Sequence, residues 1–323
     1  MRILFWGTPD FAVLPLRALL GEGHDVVGVV TQPDRPRGRS RSQLDPSPVK
    51  RVALEEGLPV LQPERPRGEA FLAEMRELDP DISVVVAYGH ILPKAVIDLP
   101  RLGTLNIHAS LLPGLRGAAP IQAALLAGDR ETGVTIMQMV PALDAGDMLH
   151  VVRTPIDIDT TYGELHDTLA ELGAMAIVQA LALLDAGVSH AVPQDEGLAT
   201  YAPKIDRRMA RLDFTQPAIA VQRVVRAFDP RPGAWGTLHG VDVKCFSGRL
   251  VGDGSDAALD EPTFASPPGT IRSIDGEGMI VRCGVGAVRV LEVQPSGKPR
   301  MPVLAWSRGR GAAVGDEFAT TAS

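Results

Sequence analysis

The chain has 323 residues, 45% of them hydrophobic, and a formal net charge of −7, which is long enough for two domains with separate cores. Its two cysteines, Cys245 and Cys283, show no CxxC spacing, and its seven histidines form no HExxH pair. A disulfide framework and a metal site are therefore not expected, and reduced cytoplasmic thiols are.

The start, Met1 to Gly7, is apolar but short and lacks a small-residue cleavage site, so it reads as a first buried strand and not a signal peptide. Further strands are predicted over Asp25–Thr31, Pro59–Gln62, Ile82–Ala87, Thr104–His108, Val134–Met139 and Met148–Thr154. Helices are predicted over Phe11–Leu20, Pro48–Glu56, Gly68–Leu78, Pro120–Ala127 and Thr161–Ala186. Runs such as Val26-Val27-Gly28-Val29-Val30 are apolar on both faces, as central parallel strands covered by helices require. The expected class is α/β, a Rossmann-like doubly wound sheet. No uninterrupted apolar run reaches the roughly 18 residues of a membrane span, so no membrane partner is expected.

The signals change after residue 187. Residues 188–208 are polar and aperiodic and read as a linker. A helix is predicted over Ala218–Ala227, then short runs at Ala234–Leu238, Val241–Phe246, Gly269–Ile274, Met279–Cys283 and Val288–Gln294. Short strands punctuated by Gly and Pro suggest a small β-barrel, with Gly252–Pro268 as a loop. The expected domains are thus 1–187 and 209–323, joined by the linker.

Negative net charge argues against a polyanionic partner, but the distribution does not. Arg35, Arg37, Arg39, Arg41, Lys50 and Arg51 face only Asp34 and Asp45 in their stretch, and a second basic zone runs from Lys204 to Lys244. Screening confines fields to about 8–10 Å, so local basic zones can hold a nucleic acid on an acidic protein.

After the first strand comes Gly7-Thr8-Pro9-Asp10. With one glycine, and a proline where a phosphate-facing amide is wanted, a dinucleotide site is disfavoured. At period two Asn106 and His108 point the same way near the end of a predicted parallel strand, where such sheets bind ligands. By itself an N-x-H pair is also compatible with a satisfied buried hydrogen-bond pair. Leu143-Asp144-Ala145-Gly146 adds a carboxylate within plausible reach of the imidazole. Amide, imidazole and carboxylate suit acyl transfer to an amine: a donor for the developing oxyanion, and a group titrating near neutrality to move the proton. No serine or cysteine stands in a nucleophile elbow, which favours direct transfer.

Asn106-Ile107-His108-Ala109-Ser110-Leu111-Leu112-Pro113 with Asp144-Ala145-Gly146-Asp147 resembles the 10-formyltetrahydrofolate-dependent formyltransferases. Four stretches narrow the likeness to the branch acting on aminoacyl-tRNA: Thr31 to Pro36, Pro46 to Lys50, Arg116 to Gln122, and Thr132 to Met139. The stretch Arg226 to Trp235 does the same in the second half.

The resemblance implies a barrel of oligonucleotide-binding type, catalysis by Asn106, His108 and Asp144, 10-formyltetrahydrofolate as formyl donor, and initiator methionyl-tRNA as acceptor. A cytoplasmic monomer is expected. The folate is expected against Tyr88, Gly89, Ile91, Leu92, Ser110, Leu111, Leu112, Pro113, Val140, Pro141 and Ala142. The acceptor RNA is expected on Arg35, Arg37, Arg39 and Arg41, with Lys204 in the second zone. Gly114-Leu115 stands where the family commonly has Arg-Trp. Two other readings are a related formyltransferase acting on a small amine and an RNA-binding protein without catalysis.

Overall fold

The computed structural model describes residues 1–37, 43–252 and 266–320. Arg39, Arg41 and most of the expected Gly252–Pro268 loop lie outside them, and of Arg37 only the backbone is described.

β1 (Arg2–Gly7) buries Ile3, Leu4, Phe5 and Trp6 on both of its faces, as an apolar central strand must. A Cβ on Gly7 would lie 2.7 Å from that of Ala12; glycine therefore lets the chain turn tightly into α1 (Val13–Gly21). β2 (Asp25–Val30) is followed by an antiparallel pair, β3 (Arg35–Arg37) and β4 (Gln43–Asp45). α2 (Pro48–Glu55) begins where the Ser47 hydroxyl accepts the Lys50 N–H at 3.0 Å, with proline in the first turn. Next come β5 (Val60–Leu61), α3 (Glu69–Leu78), β6 (Ile82–Val86), the single-turn α4 (Lys94–Ile97) and β7 (Thr104–His108).

These five strands pair in the order β5-β2-β1-β6-β7, all parallel. In chain order that is 3-2-1-4-5, and the direction of winding reverses between β1 and β6. The chain continues through β8 (Arg116–Gly117), α5 (Pro120–Ala127), β9 (Glu131–Gln138), β10 (Met148–Pro155) and α6 (Tyr162–Asp185). β9 joins the sheet antiparallel to β7, and β10 forms the far edge.

α6 buries Leu169, Ala170, Ile177, Ala180 and Leu181. A Cβ on its Gly173 would lie 3.0 Å from Ile107 Cγ2, so the glycine allows a close approach to β7. Its length and composition alone would also suit a membrane span, but 44% of its most apolar window is buried in the fold.

Two compact units emerge: Met1–Pro120 with Glu131–Thr154 and His166–Ala202, and Ile121–Arg130 with Pro155–Leu165 and Pro203–Ser323. In the first, β11 (Tyr201–Ala202) pairs in parallel with β8.

In the second, α7 (Ala218–Ala227) turns Val221 and Val225 inward. The buried Arg226 guanidinium donates to the Asp157 carbonyl at 3.0 Å. Antiparallel strands follow: β12 (Ala234–Leu238), β13 (Val241–Leu250), β14 (Ile271–Asp275), β15 (Gly278–Arg282) and β16 (Ala287–Pro295). Their order is β12-β13-β16-β15-β14, and β17 (Met301–Pro302) flanks β16 ahead of α8 (Val303–Arg308).

The two outer strands do not stay open. Leu238 bridges Phe318 and Thr270 bridges Glu317, so one short late segment ties both edges together. This seam closes the sheet as a barrel requires. Phe318 is buried there against Phe214, with ring centroids 5.1 Å apart.

β13 runs four residues past the expected Phe246. Ser247-Gly248 looks like a turn in sequence, yet a Cβ on Gly248 would lie 2.8 Å from Val225 of α7. The glycine marks a helix pressed on a strand, not a strand end.

Candidate active site

His108 ends β7 with its ring buried. Its Nε2 lies 3.0 Å from the Leu115 carbonyl oxygen. A carbonyl only accepts, so Nε2 carries the hydrogen and Nδ1 keeps its lone pair. Burial pushes the imidazole pKa below its ordinary value, against the upward pull of the Asp144 carboxylate and the Leu115 carbonyl. The resting ring is neutral.

Nδ1 faces Asp144 Oδ2 at 3.7 Å. Two acceptors at that distance share no hydrogen, which leaves a position for a donor brought by a substrate or a water. Asp144 has φ +47°, the left-handed region that aspartate tolerates better than most residues. Its Oδ2 accepts the Gly117 N–H at 2.8 Å. Next to it, a Cβ on Gly146 would collide with the Gln138 carbonyl.

Asn106 lies two residues before His108 on β7, on the same face by the strand's pleat. Its amide makes no hydrogen bond among the described residues and is available to a ligand.

The expected folate residues divide by exposure. Ile91 is 84% exposed, and Val140, Pro141, Ala142 and Leu143 form an exposed, largely apolar loop after β9. Gly89, two residues before Ile91, takes φ +92°. Tyr88 and Leu92 instead pack in the core with Trp6, Val85 and Met75. The Tyr88 ring meets Trp6 edge-on at 5.2 Å, and burial pushes its phenol up to about 12. The Tyr88 contribution nearer the strand ends is its carbonyl, which accepts the Thr8 hydroxyl at 3.0 Å and Gln32 Nε2 at 3.2 Å.

Ser110 is buried, and its hydroxyl donates to the Gly114 carbonyl at 2.6 Å. Thr135 donates to the Ser110 carbonyl and accepts the Leu112 N–H, so Ser110 to Pro113 is fixed to β9. Leu112 is buried, while Leu111 and Pro113 are partly exposed.

The basic residues are spread. Arg35 is exposed on β3. Lys204, also exposed, belongs to the second unit. In that unit a groove gathers Arg207, Lys244 and Lys298 with Trp235 and Gln294. The Arg207 and Arg211 guanidinium groups lie 4.8 and 5.4 Å from the Trp235 ring centroid.

Sequence reasoning assigned no role to the residues that hold the site together: Leu115 through its carbonyl, Gly117 through its amide, and Arg116 with Gln194. Main-chain contacts leave no residue-type signal. Arg116 stood inside a recognised motif without a stated function.

The "Formyl transferase" family matches residues 1–181, and the "Formyl transferase, C-terminal domain" matches residues 204–311. A methionyl-tRNA formyltransferase of Ectopseudomonas mendocina is 51% identical over 300 residues, covering 93% of this chain and 92% of the relative. One from Thiobacillus denitrificans is 49% identical over 315 residues, covering 98% of each. Two more distant solved structures share the fold. HypX from Aquifex aeolicus, in complex with tetrahydrofolic acid, has a TM-score of 0.63 at 20% identity, over 94% of this chain and 46% of that one. An N-formyltransferase from Helicobacter canadensis, complexed with folinic acid and dTDP-3-aminofucose, has a TM-score of 0.66 at 15% identity, over 90% of this chain and 98% of that one. On both family matches and on identity of about one half over nearly its whole length, the chain belongs to the formyl transferase family.

Proposed function

We propose that the protein transfers the formyl group of 10-formyltetrahydrofolate to the amino group of initiator methionyl-tRNA, with Asn106, His108 and Asp144 carrying the chemistry. The observation that carries the reading is the His108 arrangement. Nε2–H is committed to Leu115, and a free Nδ1 faces Asp144 at 3.7 Å on the strand that also bears the Asn106 amide, which has no partner among the described residues. Relatives named for this activity at 49–51% identity support the substrate pair.

The folate supplies the formyl group as an activated amide. Ile91, Val140 and Leu143 are exposed apolar side chains of the kind that suits contact with a flat ring system, and Ser110 to Pro113 is fixed to β9 close by in sequence to His108. Asn106 donates its amide hydrogen to the formyl oxygen as negative charge develops there. His108 Nδ1 takes the proton that the attacking amine sheds as the new C–N bond forms, and returns it to the nitrogen whose bond to the formyl carbon breaks. Asp144 stabilises the imidazolium between those two transfers. Ser110 is committed to Gly114, and both cysteines are buried with thiol pKa values pushed up to about 12. Direct transfer therefore suits these residues better than a covalent acyl-enzyme.

For the acceptor, we place residues 209–323 in the role of an RNA-binding domain. Lys244, Lys298 and the Trp235 ring support this, with Arg207 of the preceding stretch over the same ring, since cations beside an aromatic face suit a nucleic-acid strand. Arg35, Arg37, Arg39, Arg41 and Lys204 are proposed as further RNA contacts on their charge. The test is tetrahydrofolate release from the formyl donor with methionyl-tRNA, amino sugars, or no acceptor. Methionyl-tRNA alone should support turnover; release with an amino sugar but not with the tRNA would replace this reading with the small-amine one.

A further inference from the structure

Three consecutive residues reach both titratable members of the proposed catalytic set. The Leu115 carbonyl accepts from His108, and the Gly117 N–H donates to the Asp144 carboxylate. Between them Arg116 sends its guanidinium into the protein, where it is 2% exposed. Its Nε and Nη2 donate to Gln194 Oε1 at 3.0 and 2.8 Å. Its Nη1 and Nη2 donate to the two Glu196 carboxylate oxygens at 3.0 and 2.8 Å. Gln194 Nε2 then donates to the main-chain carbonyls of Asp144 and Gly146, at 2.8 and 2.7 Å.

We propose that Gln194, oriented by Arg116, is a positioning residue that sets the direction of the Asp144 carboxylate toward His108 and so governs the rate of formyl transfer. The inference rests on the catalytic reading above.

The Gln194 amide has one workable orientation. Turned over, it would set its NH2 against a guanidinium and its oxygen against two carbonyl oxygens, losing four hydrogen bonds to repulsive contacts. Two amide hydrogens meet two carbonyls, so the donor is fully used and the turn Asp144-Ala145-Gly146 is held at both ends. The Asp144 backbone sits in the left-handed region, which aspartate tolerates better than most residues but at a cost that a held carbonyl offsets. Fixing that residue's carbonyl fixes the peptide plane from which its side chain springs, and the Gly117 N–H then aligns the carboxylate itself.

An arginine this deeply buried is costly unless every donor finds a partner. Here one edge of the guanidinium donates to exposed Glu196 and the adjoining edge to Gln194, with Nη2 serving both. The donors on the Gln194 side are thus spent on orienting an amide whose far end holds the catalytic turn.

The test is Gln194→Glu, which keeps the size and the Arg116 contact but removes the donor to both carbonyls. kcat for methionyl-tRNA should fall about 10²-fold, the scale of a misplacement near 1 Å. KM for donor and acceptor should stay within about twofold, because no binding contact is lost. Unfolding temperature, followed by circular dichroism, separates positioning from collapse. If the glutamate variant does not fold, Gln194→Asn makes the same test: it keeps the amide but falls one methylene short, and kcat should drop with KM unchanged. Folded variants with kcat within threefold of wild type would overturn the inference, as would losses confined to KM. Failure of the catalytic reading looks different, since wild type would then not formylate methionyl-tRNA, or Asp144→Asn would leave kcat unchanged.

Discussion

At the scale of single residues, the proposed chemistry depends on a neutral histidine beside a charge. Asp144→Asn keeps an oxygen for the Gly117 amide but loses the charge that steadies the imidazolium. kcat should fall by about 10²–10⁴, the range for removing general acid–base assistance, while circular dichroism stays that of wild type. The pH dependence has a definite sign. His108 titrates below its ordinary ~6.5 because it is buried, so kcat should decline on the acid side as pH falls through that lowered value. Asp144→Asn should move the His108 NMR titration lower still, since the carboxylate is what pulls it upward. In stability terms the unfolded chain takes up this proton first, at about pH 6.5. The His108 contribution is therefore intact above that pH and is lost as pH drops below it. A His108 titration above 6.5 would remove the neutral-base assignment. Leu115 shows why a departure in side-chain identity need not touch catalysis: it holds φ +59° and serves His108 with its carbonyl.

At the scale of elements, two-residue β8 and β11 carry more of the site than their size suggests. A Cβ on Gly117 would lie 2.7 Å from the Ala202 carbonyl, and φ there is +115°. Gly117→Ala should destabilise the protein by about 1–3 kcal/mol in urea unfolding and lower kcat, because the amide that holds Asp144 moves with the strand. A variant that keeps both stability and kcat would show that the pair tolerates separation.

This pair also marks where sequence reading runs out. β1, β2 and β6 were legible because buried parallel strands are mostly apolar, and Asn106 and His108 of β7 because the pleat has period two. β8 and β11 have no period. Their paired residues Arg116 and Tyr201 are 85 apart in sequence, and Gln194 to Ala202 reads as plain linker because it uses side-chain and main-chain hydrogen bonds without an apolar pattern. β13 was cut short for the opposite reason, a glycine whose purpose is contact with α7.

At the scale of the whole molecule, a net charge of −7 coexists with a local cationic groove in the second unit. Lys244→Ala and Lys298→Ala should each raise KM for methionyl-tRNA and lower the log–log salt slope by at most about one unit. KM for the folate should not change. Equal salt slopes in wild type and both variants would take the groove out of RNA binding.

The barrel's stability rests on its late seam. Phe318→Ala removes a buried ring and should cost about 3–5 kcal/mol, read as a lower denaturant midpoint.

The seam also fixes an order of events during synthesis. Leu238 waits for Phe318, and Thr270 for Glu317, so every barrel strand is made before the residues that join its borders exist. Until then β14, and β12 beyond its single bridge from Arg211 to Trp235, present unpaired backbone donors and acceptors, the template on which other chains add. Interrupting translation after Gly315 should therefore yield a product that sediments with aggregates, whereas chains extending through Ala319 should remain in the supernatant.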